Sequence, residues 1–146
     1  MVSSQNVDRS CWDFELDQWP VLIIRPKPED MTLQQLEVAL KHYDRTLEAR
    51  REPYAVVFDS RNVKGMDASL RRRLAQYNAE NEDRARAFCR GSAFVMTSTM
   101  VRGLMTAILW VRKPPVETRV FEELDEAMDW ARLRVAHNAL PESRTG

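Results

Sequence analysis

Residues 11–24 read Cys-Trp-Asp-Phe-Glu-Leu-Asp-Gln-Trp-Pro-Val-Leu-Ile-Ile, and the change of pattern within them decides the fold. Trp12, Phe14 and Leu16 alternate with Asp13, Glu15 and Asp17. That is the period of a strand with one wet face. Val21 to Ile24 is unbroken apolar sequence, as in a strand covered on both faces. Only Asp17-Gln18-Trp19-Pro20 joins the two, and so short a connection predicts an antiparallel hairpin with 11–17 at a sheet edge.

Outward from the hairpin, helical and extended patterns alternate. Pro26 and Pro28 close it, and Thr32 with Gln35 forms a capping-box pair that starts a helix. Leu33, Leu36, Leu40, Tyr43 and Leu47 make its apolar stripe, and Arg50, Arg51 and Pro53 end it. Tyr54 to Phe58 predicts a buried strand that stops at Asp59-Ser60-Arg61-Asn62, with Gly65 marking a tight loop. A second helix is expected from about Asp67 to Arg90, with Leu70, Leu74, Tyr77, Ala85 and Phe88 toward the core. Glu80 with Arg84 and Glu82 with Arg86 would pair on its outer face.

Ala93 to Met96 reads as a third core strand, followed by a third helix over 99–111 that Pro114-Pro115 stop. Thr118 to Phe121 is a last short strand, and a final helix begins near Leu124. Glu122, Glu123, Asp125 and Glu126 favour its positive end. The expectation is one α/β domain over 11–140, with loose ends at 1–10 and 141–146. Its single mixed, mostly parallel sheet has about five strands and about four helices.

Composition narrows the function. Lys plus Arg and Asp plus Glu number 22 each, so no bulk field draws the chain to nucleic acid or an anionic membrane. No run reaches the ~20 apolar residues of a membrane span, and residues 1–9 are too polar for a signal peptide; a cytoplasmic protein is expected. The two cysteines, Cys11 and Cys89, form no CxxC and no cluster with histidine, so neither a metal nor a disulfide framework is read. With four glycines and no GxGxxG, GxxxxGK[ST] or GxSxG, no cofactor, phosphate cradle or nucleophile elbow is read either. His42, His137 and Cys89 read as boundary or packed residues. No catalytic residue is assigned.

Two features call for more. Arg71, Arg72 and Arg73 crowd the opening turns of the second helix against its dipole. They are either a solvated face paired with nearby acids or a basic site for an acidic partner or phosphate. The third helix is apolar nearly all round: Met100, Val101, Leu104, Met105, Ile108, Leu109, Trp110 and Val111. It is either core or a surface for a second copy or an apolar ligand. Helical spacing sets Met100, Leu104 and Ile108 toward the sheet and leaves Trp110 exposed or at a contact.

Val56-Val57-Phe58-Asp59-Ser60 followed by Met66-Asp67-Ala68-Ser69-Leu70 resembles the STAS family of sulphate transporters and anti-sigma factor antagonists. The later Gly-Ser-Ala-Phe-Val-Met strand, with Phe121, Leu124, Ala127 and Met128, resembles its closing strand and helix, so the likeness spans about 19–135. The pattern is also similar to lone bacterial STAS-like domains, related in sheet topology to CRAL-TRIO lipid carriers. The resemblance implies a non-enzymatic signalling module that binds a protein regulator or kinase, with Ser69 at the position phosphorylated in anti-anti-sigma members. Asp59, Ser60, Asp67, Arg71 and Arg72 would share that surface. Leu70 stands where the family often has Gly, and the three arginines replace small and apolar residues. Physical chemistry gives Ser69 two roles. It or Asp67 caps the helix, or it carries a phosphate stabilised by free N–H groups and nearby arginines. The alternative function is a carrier or sensor of a small apolar, lipid-like ligand between the sheet and the third helix, at Met100, Leu104, Met105 and Trp110.

Overall fold

A computed structural model describes residues 11–27, 31–63, 67–111 and 114–138. The ends at 1–10 and 141–146 and the loop at Gly65 lie outside them. Five strands form one sheet in chain order: β1 (Trp12–Glu15), β2 (Val21–Pro26), β3 (Tyr54–Asp59), β4 (Cys89–Val95) and β5 (Thr118–Phe121). β1 lies at the edge, antiparallel to β2, with Phe14 opposite Ile24. All later pairings are parallel. The hairpin closes where Trp19 N–H donates to Leu16 C=O at 3.1 Å and Val21 N–H to Gln18 C=O at 2.9 Å. The first strand is therefore shorter than its alternating pattern, because residues 16–20 are spent on the turn.

The continuous apolar run of β2 serves two cores. Leu22 and Ile24 point with Trp12 and Val56 into one layer, and Val21 and Ile23 with Ala55, Val57, Ala93 and Val95 into the other. Each such aliphatic side chain contributes about 1.5–3 kcal/mol on burial. The first layer is covered by α1 (Leu33–Arg50), α2 (Ala68–Glu80) and α3 (Glu82–Phe88). The second is covered by α5 (Leu124–Asn138) through Ala127, Met128 and Ala131. The small residues let α5 lie close: a Cβ at Gly91 would stand 3.0 Å from the Trp130 ring. The remaining helix, α4 (Thr99–Val111), runs against β5.

The capping box is present. Gln35 N–H donates to Thr32 Oγ1 at 3.1 Å, and Thr32 N–H donates back to Gln35 Oε1 at 2.9 Å. Leu36, Leu40 and Leu47 are buried as the stripe requires, but Leu33 in the first turn is 48% exposed. It precedes the turns of α1 that lie over the sheet.

The second helix is two helices, which makes five among the described residues. At Asn81 the backbone leaves the helical region (φ −113°, ψ 19°), and the side-chain amide donates to Tyr77 C=O at 2.9 Å. A short amide side chain competing for helix carbonyls is a recognised helix terminator. The break separates Glu80 from Arg84, so that pair does not form. Arg84 turns instead to Asp44 of α1 at 2.8 Å, and Glu80 lies 3.9 Å from Arg73. Glu82 and Arg86, both beyond the break, do pair. The helix also stops at Phe88, and Cys89 already belongs to β4, four residues before the strand read from sequence.

Candidate functional site

The parallel strands β2 to β5 all end on one side of the sheet, and Asp59 and Ser60 lie there. Asp59, last in β3, is 7% exposed. Arg61 donates to both its oxygens, Nε to Oδ1 at 2.7 Å and Nη2 to Oδ2 at 2.8 Å. Arg25, at the end of β2, sets its Nε 3.3 Å from Oδ2 and donates through Nη1 to Glu15 at 2.5 Å. The Arg61 hydrogen bonds, partly offset by burial, hold the Asp59 carboxyl below its ordinary value. Glu123 and Asp125 add their attraction to the Arg61 guanidinium. An ionic chain Glu15–Arg25–Asp59–Arg61 thus crosses three strands.

Asp59 is consequently enclosed by arginines, and these ion pairs tie the turn after β3 to β2. Ser60 is half-buried: its N–H donates to Val95 C=O at 3.0 Å and its C=O accepts from Val63 at 3.1 Å. Arg25 and Arg61 were not singled out from sequence. The available signal was an arginine closing a wholly apolar strand, and another two residues after an aspartate.

The helix start beyond this loop resolves the capping question in favour of Asp67. With extended backbone (φ −72°, ψ 169°), its Oδ1 accepts from Leu70 N–H at 3.1 Å and from the Ser69 hydroxyl at 2.8 Å. These two hydrogen bonds hold the Asp67 carboxyl below its ordinary value, with Arg71 adding attraction. Ser69 is exposed in the first turn of α2, and Arg71 and Arg72 are exposed just after it. Arg73 is committed elsewhere, to Glu37 of α1 through Nε at 2.5 Å and Nη2 at 3.1 Å.

Helix α4 departs from expectation at Met100, which is 83% exposed instead of facing the sheet, while Trp110 is exposed as its spacing sets it, at 86%. Met105 is half-buried, and the Leu104 and Ile108 side chains lie outside the described residues. The pattern misleads because a helix apolar all round carries no phase to say which side meets the sheet.

The thiols and His42 are packed. Cys89 Sγ donates to Gly91 C=O at 3.4 Å, and burial pushes its thiol up to about 11. Burial likewise pushes Cys11 up to about 11. His42 stacks on Phe14 with centroids 4.3 Å apart, and burial followed by Arg45 lowers its pKa. Among the described residues no group of three or more His, Cys, Asp or Glu could hold a metal ion, and no helix is long and apolar enough to cross a membrane.

Residues 20–133 match the model of a family described as a domain of unknown function, DUF7793. No curated protein matches the chain. Among solved structures, an uncharacterized DUF3478-family protein with a SpoIIAA-like fold, from Shewanella loihica PV-4, is similar with a TM-score of 0.64 and 15% identity. The likeness covers 82% of this chain and 91% of that one. At such identity it shows the fold, which is STAS-like, and the matching family model is DUF7793, not STAS itself.

Proposed function

The chain belongs to the DUF7793 family, and within that family we propose that it is a non-enzymatic regulatory module. The start of α2 would dock a protein partner, and phosphorylation of Ser69 would switch that docking. One observation carries the reading: Ser69 stands exposed in the first turn of α2, beside exposed Arg71 and Arg72.

Topology supports a flat docking surface there. Ligand crevices in open α/β sheets form where strand order reverses, so that neighbouring crossovers diverge. Here each crossover from β2 to β5 steps to the next strand in the same direction, and such an order has no switch point. The competing reading, an apolar ligand held between sheet and α4, loses Met100 as a lining residue, since that side chain points to solvent.

The test is affinity capture from the native host with wild type, Ser69→Asp and Arg72→Glu, with the captured proteins and the phosphorylation state of Ser69 read by mass spectrometry. A partner retained by wild type and lost on both variants is the expected result. Identical captured sets for all three, with Ser69 unmodified throughout, would reject it. Native mass spectrometry of the purified chain reports on the carrier reading, which requires a co-purifying apolar molecule.

A further inference from the structure

Helix α4 presents to solvent a face that carries no charge. Among its described side chains the exposed ones are Thr99, Met100, Gly103, Thr106, Ala107 and Trp110. A solvent face on an ordinary surface helix is charged or polar. Here the two bulkiest members, Met100 and Trp110, are 83% and 86% exposed, and a Cβ added at Gly103 would meet nothing within 4 Å. Arg102, the charged residue nearest this face, is drawn aside toward Glu122 at 3.8 Å.

From this pattern we infer that α4 is a contact between two copies of the chain, packed antiparallel about a two-fold axis near Met105. The face is self-complementary about that point. Met100 and Trp110 each lie five residues from Met105, and Gly103 and Ala107 each lie two. Reversing the helix therefore sets Met100 against the second copy's Trp110, and Gly103 against its Ala107. The small pair lets the backbones approach at the crossing, and the thioether meets the indole on each side, a favourable sulfur–aromatic contact. An isologous interface needs this reciprocity: residue i meets j, and j meets i.

The helix dipoles select the same direction: an antiparallel pair opposes them, whereas a parallel pair sets like ends side by side.

Sedimentation equilibrium of the full chain over a concentration series reads the proposal, with dimer formation expected. Trp110→Lys and Met100→Lys should each raise the dimer dissociation constant at least about tenfold, as loss of a central anchor does. Both side chains are exposed in the monomer, so circular dichroism melts at concentrations below the wild-type dimer dissociation constant should match wild type. Direction is read separately. A mixture of Met100→Cys and Trp110→Cys chains should cross-link to each other under mild oxidation, while Met100→Cys alone does not, its equivalents lying about 15 Å apart along the axis. The buried Cys11 and Cys89 provide the background. A wild type monomeric at every concentration overturns the proposal, as does self-linking of Met100→Cys, which indicates parallel packing. A monomer that co-sediments with phosphatidylglycerol vesicles through Trp110 also overturns it, and assigns the face to a lipid surface.

Discussion

Replacing Asp59 by Asn removes the charge at the centre of the ionic chain while keeping the side chain's shape, and its cost can be worked from the geometry. Breaking a fully buried ion pair costs about 3–5 kcal/mol, because a charge is left unsolvated. That is an upper bound here: Asp59 is 7% exposed, but the Arg25 and Arg61 side chains are 38% and 42% exposed. Freed of the carboxylate, both guanidiniums can reach water, so each pair is discounted toward the surface value of about 0–1 kcal/mol. Two discounted pairs, one of them a bidentate charge-assisted bond, come to about 1–2 kcal/mol. For a chain of this size that lowers Tm by roughly 3–6 °C.

The pH dependence carries a sign. Asp59 has a folded pKa below its ordinary 3.8, so its contribution is present above that value and lost as pH falls through the folded one. Urea denaturation at pH 7 should separate wild type from Asp59→Asn by the full amount, and the gap should shrink as pH is taken below about 4. An Asn variant as stable as wild type at pH 7, or a gap that persists in acid, would refute the account of Asp59 as a paired carboxylate that ties the turn after β3 to β2.

Other consequences are simpler to read. With both thiols buried and pushed up to about 11 from 9.0, the thiolate available near pH 8 falls about a hundredfold at each. Ellman's reagent should therefore leave the folded chain unreacted and titrate two thiols only on unfolding; rapid native reaction of either would contradict the packing. Gly91→Ala places a Cβ 3.0 Å from the Trp130 ring and 3.2 Å from Arg134 Cγ. The ring must give by a few tenths of an ångström, at up to about 1–3 kcal/mol where it cannot, so Trp fluorescence should change; an unchanged spectrum would show that α5 is not seated against β4 as described.

What the sequence disclosed divides by the range of the interaction. The hairpin, the Thr32–Gln35 capping box and the two-sided burial of Val21 to Ile24 depend on neighbours within a few residues or on bulk burial, and pattern alone reports them. The split at Asn81 is decided by one side-chain amide finding Tyr77 C=O four residues back, which an amphipathic stripe running through both halves conceals. Met100 was misplaced because a helix apolar on every side has no polar stripe to fix its rotation. Asp59 is read from sequence as a loop residue of the partner-binding surface, but it closes β3 and is buried: its partner Arg25 belongs to another strand, 34 positions earlier, and only the parallel register of β2 on β3 brings them together.

The capping arrangement bears on how charge at Ser69 would act. In the unmodified chain the Ser69 hydroxyl is a donor, and its acceptor is the Asp67 carboxylate that also caps Leu70. A phosphoryl group replaces that hydroxyl proton, so the bond to Asp67 is lost and a charge near −2 stands beside an existing −1. The helix dipole and the nearby Arg71 and Arg72 favour the new anion, but they act on the same turn that Asp67 already occupies. The two anions compete for one set of donors. Modification would therefore displace Asp67 from the cap and loosen the chain just before α2, in contrast to the common case in which a phosphate orders a helix start. Ser69→Ala separates the contributions, since it removes the donor but leaves the Leu70 cap intact. Its melt should stay close to wild type, while Ser69→Asp, which introduces the competing carboxylate, should melt lower. If Ser69→Asp melted at or above wild type, the arginines would have outweighed Asp67, and a switch at this site would work by tightening the helix start.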